Sequence, residues 1–133
     1  MIVERRQRRR RSGQERPEEA LQAAVLAYLA RALPRGAFFG VFPRHAGALF
    51  HGMTMRELGS RAGFPNLLVL NDGRAYCIAL KADAAILQPD ERDCHAALQD
   101  ARVPVAVARS LEDVQRFLID ECALPMRHWR SAA

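Results

Sequence analysis

Two short apolar runs, Leu67–Leu70 and Arg74–Lys81, flank the tripeptide Asn71-Asp72-Gly73, and this segment constrains the chain more than any other. Asn71-Asp72-Gly73 is a strong hairpin-turn signal, so the two runs are expected to return on each other as a hairpin. Alternate residues of a strand share a face. Tyr76, Ile78 and Leu80 therefore lie on one side of the return strand, and Ala75, Cys77, Ala79 and Lys81 on the other. Asn66 enters the first strand just after Gly63-Phe64-Pro65, and the hairpin is expected to bring it close to residues 79–81.

Helices are predicted around this hairpin. Pro17-Glu18-Glu19 reads as a helix start, with proline in the first turn and acids against the helix dipole. Leu21, Val25, Leu29 and Leu33 recur every four residues beside Ala24, Tyr28 and Ala32, which predicts an amphipathic helix ended by Pro34 and Gly36. Residues 37–42 read as a strand and residues 43–52 as a loop carrying His45 and His51. Thr54-Met55-Arg56-Glu57 matches a capping box and predicts a short helix to Arg61, closed by Gly63. Gln88-Pro89-Asp90-Glu91 opens another helix, with Cys94, Leu98 and Ala101 facing inward. Residues 103–107 form a strand. Ser110-Leu111-Glu112-Asp113 starts the last helix, which turns Leu111, Val114, Phe117 and Leu118 inward. The order is helix, strand, short helix, two hairpin strands, helix, strand, helix. A hairpin followed by a helical, right-handed crossover predicts an α/β fold with a mixed central sheet of about four strands flanked by helices.

Composition narrows the setting. The net charge is +5, and residues 1–16, with seven Arg and two Glu, carry the whole excess; residues 17–133 hold thirteen charges of each sign. An Arg-rich segment with almost nothing apolar cannot bury a core, so residues 1–16 are expected to be a disordered basic tail, with Arg8, Arg9, Arg10 and Arg11 as non-specific phosphate contacts. Residues 17–126 are the expected domain and residues 127–133 a second tail. No apolar run nears the roughly 20 residues of a membrane span, and no signal-peptide pattern follows the arginines, so a cytoplasmic protein without a membrane partner is expected. Cys77, Cys94 and Cys122 are odd in number and widely spaced, which speaks for buried thiols rather than disulfides or a zinc site.

The segment Gly63–Ala82, GFPNLLVLNDGRAYCIALKA, resembles the VRR-NUC (virus-type replication-repair nuclease) branch of the PD-(D/E)XK, restriction-endonuclease-like superfamily, whose pattern here is G-x-P-D, a hairpin, then E-x-K. EEALQAAVLAYL is similar to the family's first helix, where E-x-x-x-Q falls on Glu18 and Gln22, and VPVAVARSLEDVQRFL to its last strand and helix. The resemblance implies a nuclease whose Asp and Glu hold Mg²⁺ or Mn²⁺ beside a scissile phosphate, with Lys81 as the catalytic lysine. It also implies DNA, branched DNA included, as partner, a homodimer, and frequent encoding by phages.

The chain departs from that pattern where the metal belongs. Asn66 stands at the Asp position and Ala79 at the Glu position, and Glu91 replaces a Gln often found at the start of the next helix. Lys81 persists, the single lysine against nineteen arginines. Lysine is a compact charge that can titrate, which arginine is not. The first reading is a degenerate nuclease that keeps a DNA-binding surface, with metal binding weak or absent and cleavage lost or weak. The others are an active Mg²⁺- or Mn²⁺-dependent endonuclease with displaced carboxylates (Glu18, Asp83 or Glu91), a non-catalytic subunit of an intact partner, and a nuclease inactivated by design. Arg44 and Arg61 are candidate phosphate contacts; His45 and His51 are weaker candidates for the site, and Asp72 is explained by the turn.

Overall fold

The structure is a computed structural model that describes residues 2–42, 49–50, 53–54, 63–82 and 84–127. Helix α1 (Ile2–Ala32) leads into strand β1 (Phe38–Val41), a small pair β2 (Leu49–Phe50) and β3 (Met53–Thr54), the hairpin β4 (Leu67–Asn71) and β5 (Arg74–Leu80), helix α2 (Pro89–Asp100), strand β6 (Val105–Ala108) and helix α3 (Leu111–Arg116), which widens into a π-helical turn over Phe117–Glu121. The central sheet has the order β1-β4-β5-β6. β1 and β5 each run antiparallel to β4, and β6 runs parallel to β5. A mixed four-stranded sheet with helical flanks is the predicted α/β architecture.

The hairpin follows its turn chemistry. Asn71 pairs with Arg74, which leaves Asp72 (φ 51°) and Gly73 (φ 74°) as a two-residue turn with both residues in the left-handed region. The faces follow the alternation. Tyr76, Ile78 and Leu80 join Leu67 and Val69 in a core with Val25, Tyr28 and Leu29 of α1 and Val114, Phe117 and Leu118 at the end of the chain. Helix α2 packs by β6 and brings Cys94 to Cys77 on the opposite face of the sheet. The three cysteines are free thiols; burial, then the neighbouring Cys94, pushes Cys77 up to about 11.

Several expectations change. The helix expected to open at Pro17 begins at Ile2 and carries Pro17 inside it; Arg, Gln and Glu are good helix formers, and the missing proline N–H removes one backbone bond without ending the helix. The expected loop 43–52 contains β2, which pairs with β3, so Thr54 is a strand residue. The rest of the short helix predicted up to Arg61 lies outside the described residues. On α2, Ala101 is exposed and ends the helix, whereas His95 is buried beside Cys94. Arg127, placed in the C-terminal tail, donates its backbone N–H to Ala32 O and its Nε–H to Leu33 O (2.8 Å). It thereby satisfies carbonyls at the end of α1 that a helix terminus leaves without partners. Among the described residues no helix is long and apolar enough to cross a membrane.

Candidate functional site

The hairpin register sets the site. Leu67 pairs with Ile78, so Asn66 stands opposite Ala79 where β4 begins and β5 ends. Asn66 is buried, and its Oδ1 accepts the Leu80 N–H at 2.8 Å. Its Nδ2 points to Gln22 Oε1 of α1 at 3.5 Å. Ala79 is buried and brings no polar atom. Lys81 follows directly; its backbone N–H donates to Ala108 O at 3.0 Å, continuing the pairing with β6. From α1, Glu18 Oε1 accepts the Ala82 N–H at 3.3 Å.

The first turn of α2 closes the other side. Glu91 Oε1 accepts the Gln88 N–H at 3.0 Å, half of a capping box. Both carboxylate oxygens also lie 2.7 Å from Lys81 Nζ. Burial alone would raise the Glu91 pKa, but the Lys81 hydrogen bond, the Gln88 N–H and the charges of Lys81 and His95 outweigh it and hold it below the ordinary value. The turn reaches this position because Gly63, at φ +80°, lies against the Asp90–Glu91 peptide; a Cβ there would overlap the Asp90 carbonyl. Behind the pair, His95 is buried, and its Nε2 has no hydrogen-bond partner among the described residues. Burial pulls its pKa down, helped by Lys81 and opposed by Glu91.

Asn66, Ala79, Lys81, Glu18 and the first turn of α2 line an open cleft of about 310 Å³, whose charged groups among the described residues are Glu18, Lys81, Asp90 and Glu91. The chain folds like a VRR_NUC domain protein. A solved structure so described superposes with a TM-score of 0.61 at 18% identity, over 76% of this chain and 87% of the other. No family model and no curated protein matches the sequence. The likeness is one of fold: a VRR-NUC-like core.

Within this VRR-NUC-like fold, Glu18, Asn66, Ala79, Lys81 and Glu91 all line the cleft, and Gln22 joins it through Asn66. Arg44, Arg61, His45, His51, Asp83 and the side chains of Arg8–Arg11 lie outside the described residues. Asp72 sits in the hairpin turn, away from the cleft lining. Sequence reasoning missed the cleft positions of Asp90 and Gln88, although Gln88-Pro89-Asp90-Glu91 had marked the turn that carries them. Hard divalent cations want several anionic oxygens. Here the Asn66 oxygen is engaged by a backbone N–H, position 79 has no donor, and the Glu91 carboxylate is engaged by Lys81. Among the described residues no group of three His, Cys, Asp or Glu is placed to hold a metal. As placed, positions 66, 79 and 91 do not offer Mg²⁺ or Mn²⁺ a set of free anionic oxygens.

Proposed function

We propose that this chain is a VRR-NUC-type domain that binds DNA but has lost, or nearly lost, metal-dependent cleavage. The Lys81–Glu91 pair supports this most directly. In a metal-dependent phosphodiesterase the lysine positions water or offsets phosphate charge beside a metal held by carboxylates. Here the ammonium is bound by both oxygens of one carboxylate, and the two positions that should carry the metal are an amide and a methyl group. No step through a metal is derived from such a site. The surface for DNA rests on the fold and on the excess positive charge of residues 1–16. The family resemblance of the sequence implies branched DNA and a dimer, which band shifts on a four-way junction and sedimentation would examine.

The test has two arms. Binding of labelled duplex in EDTA should be measurable and should weaken steeply with salt, while supercoiled, linear and branched DNA should stay intact in Mg²⁺ or Mn²⁺. Calorimetry with Mn²⁺ should show no tight site in the natural chain and a site in Asn66→Asp/Ala79→Glu. Cleavage that disappears in Lys81→Ala would establish instead an active nuclease with displaced ligands such as Glu18. A folded double variant that binds no Mn²⁺ would show the site alignment to be wrong.

A further inference from the structure

Lys81 is the cation among the described residues lining the cleft, and Glu91 already occupies it. Both side chains are mostly covered, 17% and 19% exposed, so water screens the pair less than it would on an open surface. Three carboxylates and one ammonium leave the charged lining two units negative. A phosphodiester that enters the cleft meets the carboxylates of Glu18 and Asp90, and finds Lys81, the cation among the described lining residues, engaged at hydrogen-bond distance.

We propose that Glu91 masks Lys81 from phosphate, so that the affinity of this cleft for a DNA backbone is set by competition between the Glu91 carboxylate and a phosphate oxygen for one ammonium. The proposal rests on the DNA-binding reading and assigns Glu91 as the residue that tunes it. The two competitors have the same chemistry: each is an anionic oxygen pair able to accept from an ammonium. Glu91 holds an entropic advantage, because its position is already fixed by the Gln88 N–H and by the packing of Gly63 beneath the turn. Phosphate must therefore arrive with other contacts, as a polymer does, to displace it.

Glu91→Gln tests the mask. Glutamine is accepted at this capping-box position, so the variant removes the charge and keeps the helix start. Duplex DNA in EDTA, followed by fluorescence anisotropy over a range of salt, should bind about tenfold more tightly to the full chain carrying E91Q. The slope of log K against log salt should steepen by about one. The gain should vanish in E91Q/K81Q. Equal affinity of E91Q and the natural chain would overturn the proposal. So would a gain that persists without Lys81, which would reduce the effect to lost carboxylate repulsion. Inorganic phosphate separates this inference from the DNA reading: it should raise the Tm of E91Q and leave that of E91Q/K81Q unmoved. Phosphate stabilisation through Lys81 with no DNA binding by any variant would leave the mask standing and refute DNA binding. Firm DNA binding that E91Q does not change would do the reverse.

Discussion

Gly63→Ala should be among the most damaging single-methyl additions available to this chain, and its cost can be divided. Gly63 has φ +80°, and an added Cβ would overlap the Asp90 carbonyl and lie 2.6 Å from Glu91 N. All of these are backbone atoms of the first turn of α2, so no flexible side chain can yield. The left-handed backbone alone costs an L-residue about 1–2 kcal/mol. The steric overlap adds an overpacking cost of about 1–3 kcal/mol, for a total of roughly 2–5 kcal/mol. Gly73 supplies the control, because its φ is +74° and an added Cβ meets nothing within 4 Å. Gly73→Ala should show the backbone cost alone, about 1–2 kcal/mol. Urea unfolding followed by far-UV circular dichroism, at unchanged m-value, measures both. If Gly63→Ala costs no more than Gly73→Ala, then the first turn of α2 does not lie against Gly63 as described, and the seating of Glu91 on Lys81 loses its support.

Asn66→Ala orphans the buried Leu80 N–H and should cost about 1–3 kcal/mol in urea unfolding, whereas Asn66→Asp keeps an acceptor there and should stay within about 1 kcal/mol of the natural chain; equal losses would mean that the amide is not held by that bond. His95 has a folded pKa below 6.5, so its protonation favours the unfolded chain: stability should rise with pH from that lowered value to about 6.5 and be level above it. His95→Leu should remove that slope, and a pH profile of Tm that is the same in both chains would place His95 in water. Glu91, with its pKa lowered from 4.5, contributes stability that is present above 4.5 and lost as pH falls through the folded value; E91Q should flatten this acid limb, which a Tm series in acetate and formate buffers would read.

What could be read in the sequence was what short-range chemistry decides. The hairpin was legible because Asn71-Asp72-Gly73 strongly favours a tight turn, and the structure pairs Asn71 with Arg74 across it. The start of α3 was legible for the same reason: Ser110 accepts the Asp113 N–H at 3.1 Å. Asn66 could be placed beside residues 79–81 because two-residue periodicity propagates from the turn. Strands β2 and β3, at two residues each, are too short to leave a period. Ala101 fitted the apolar spacing of α2, but the helix ends at Asp100 and releases it to solvent. The Lys81–Glu91 contact joins the end of a strand to a helix turn ten residues later. Each residue stood out alone, but their meeting depends on Gly63 admitting α2, and no local pattern encodes that approach.

The departures at positions 66, 79 and 91 can be understood as one electrostatic change. The pattern implied by the resemblance puts Asp, Glu, Lys and Gln at positions 66, 79, 81 and 91; this chain has Asn, Ala, Lys and Glu. Against that pattern the chain has two fewer carboxylates around the lysine and one more, Glu91, 2.7 Å from its Nζ. An ammonium only 17% exposed is costly to leave without a counter-charge, so loss of the acid at 79 and gain of the acid at 91 should be coupled. Ala79 and Lys81 border the same cleft, and alternation puts the two side chains on one side of the chain where β5 ends, so a glutamate at 79 is placed to serve as the counter-charge. In the natural chain E91Q should cost about 1–2 kcal/mol, the loss of a charge-assisted hydrogen bond. In the Ala79→Glu background it should cost less by at least about 0.5 kcal/mol, above the level at which independent sites add. A double-mutant cycle by urea unfolding at pH 7 measures that difference. Strict additivity would mean that Glu91 and residue 79 do not share Lys81, and the three departures would then be unrelated substitutions.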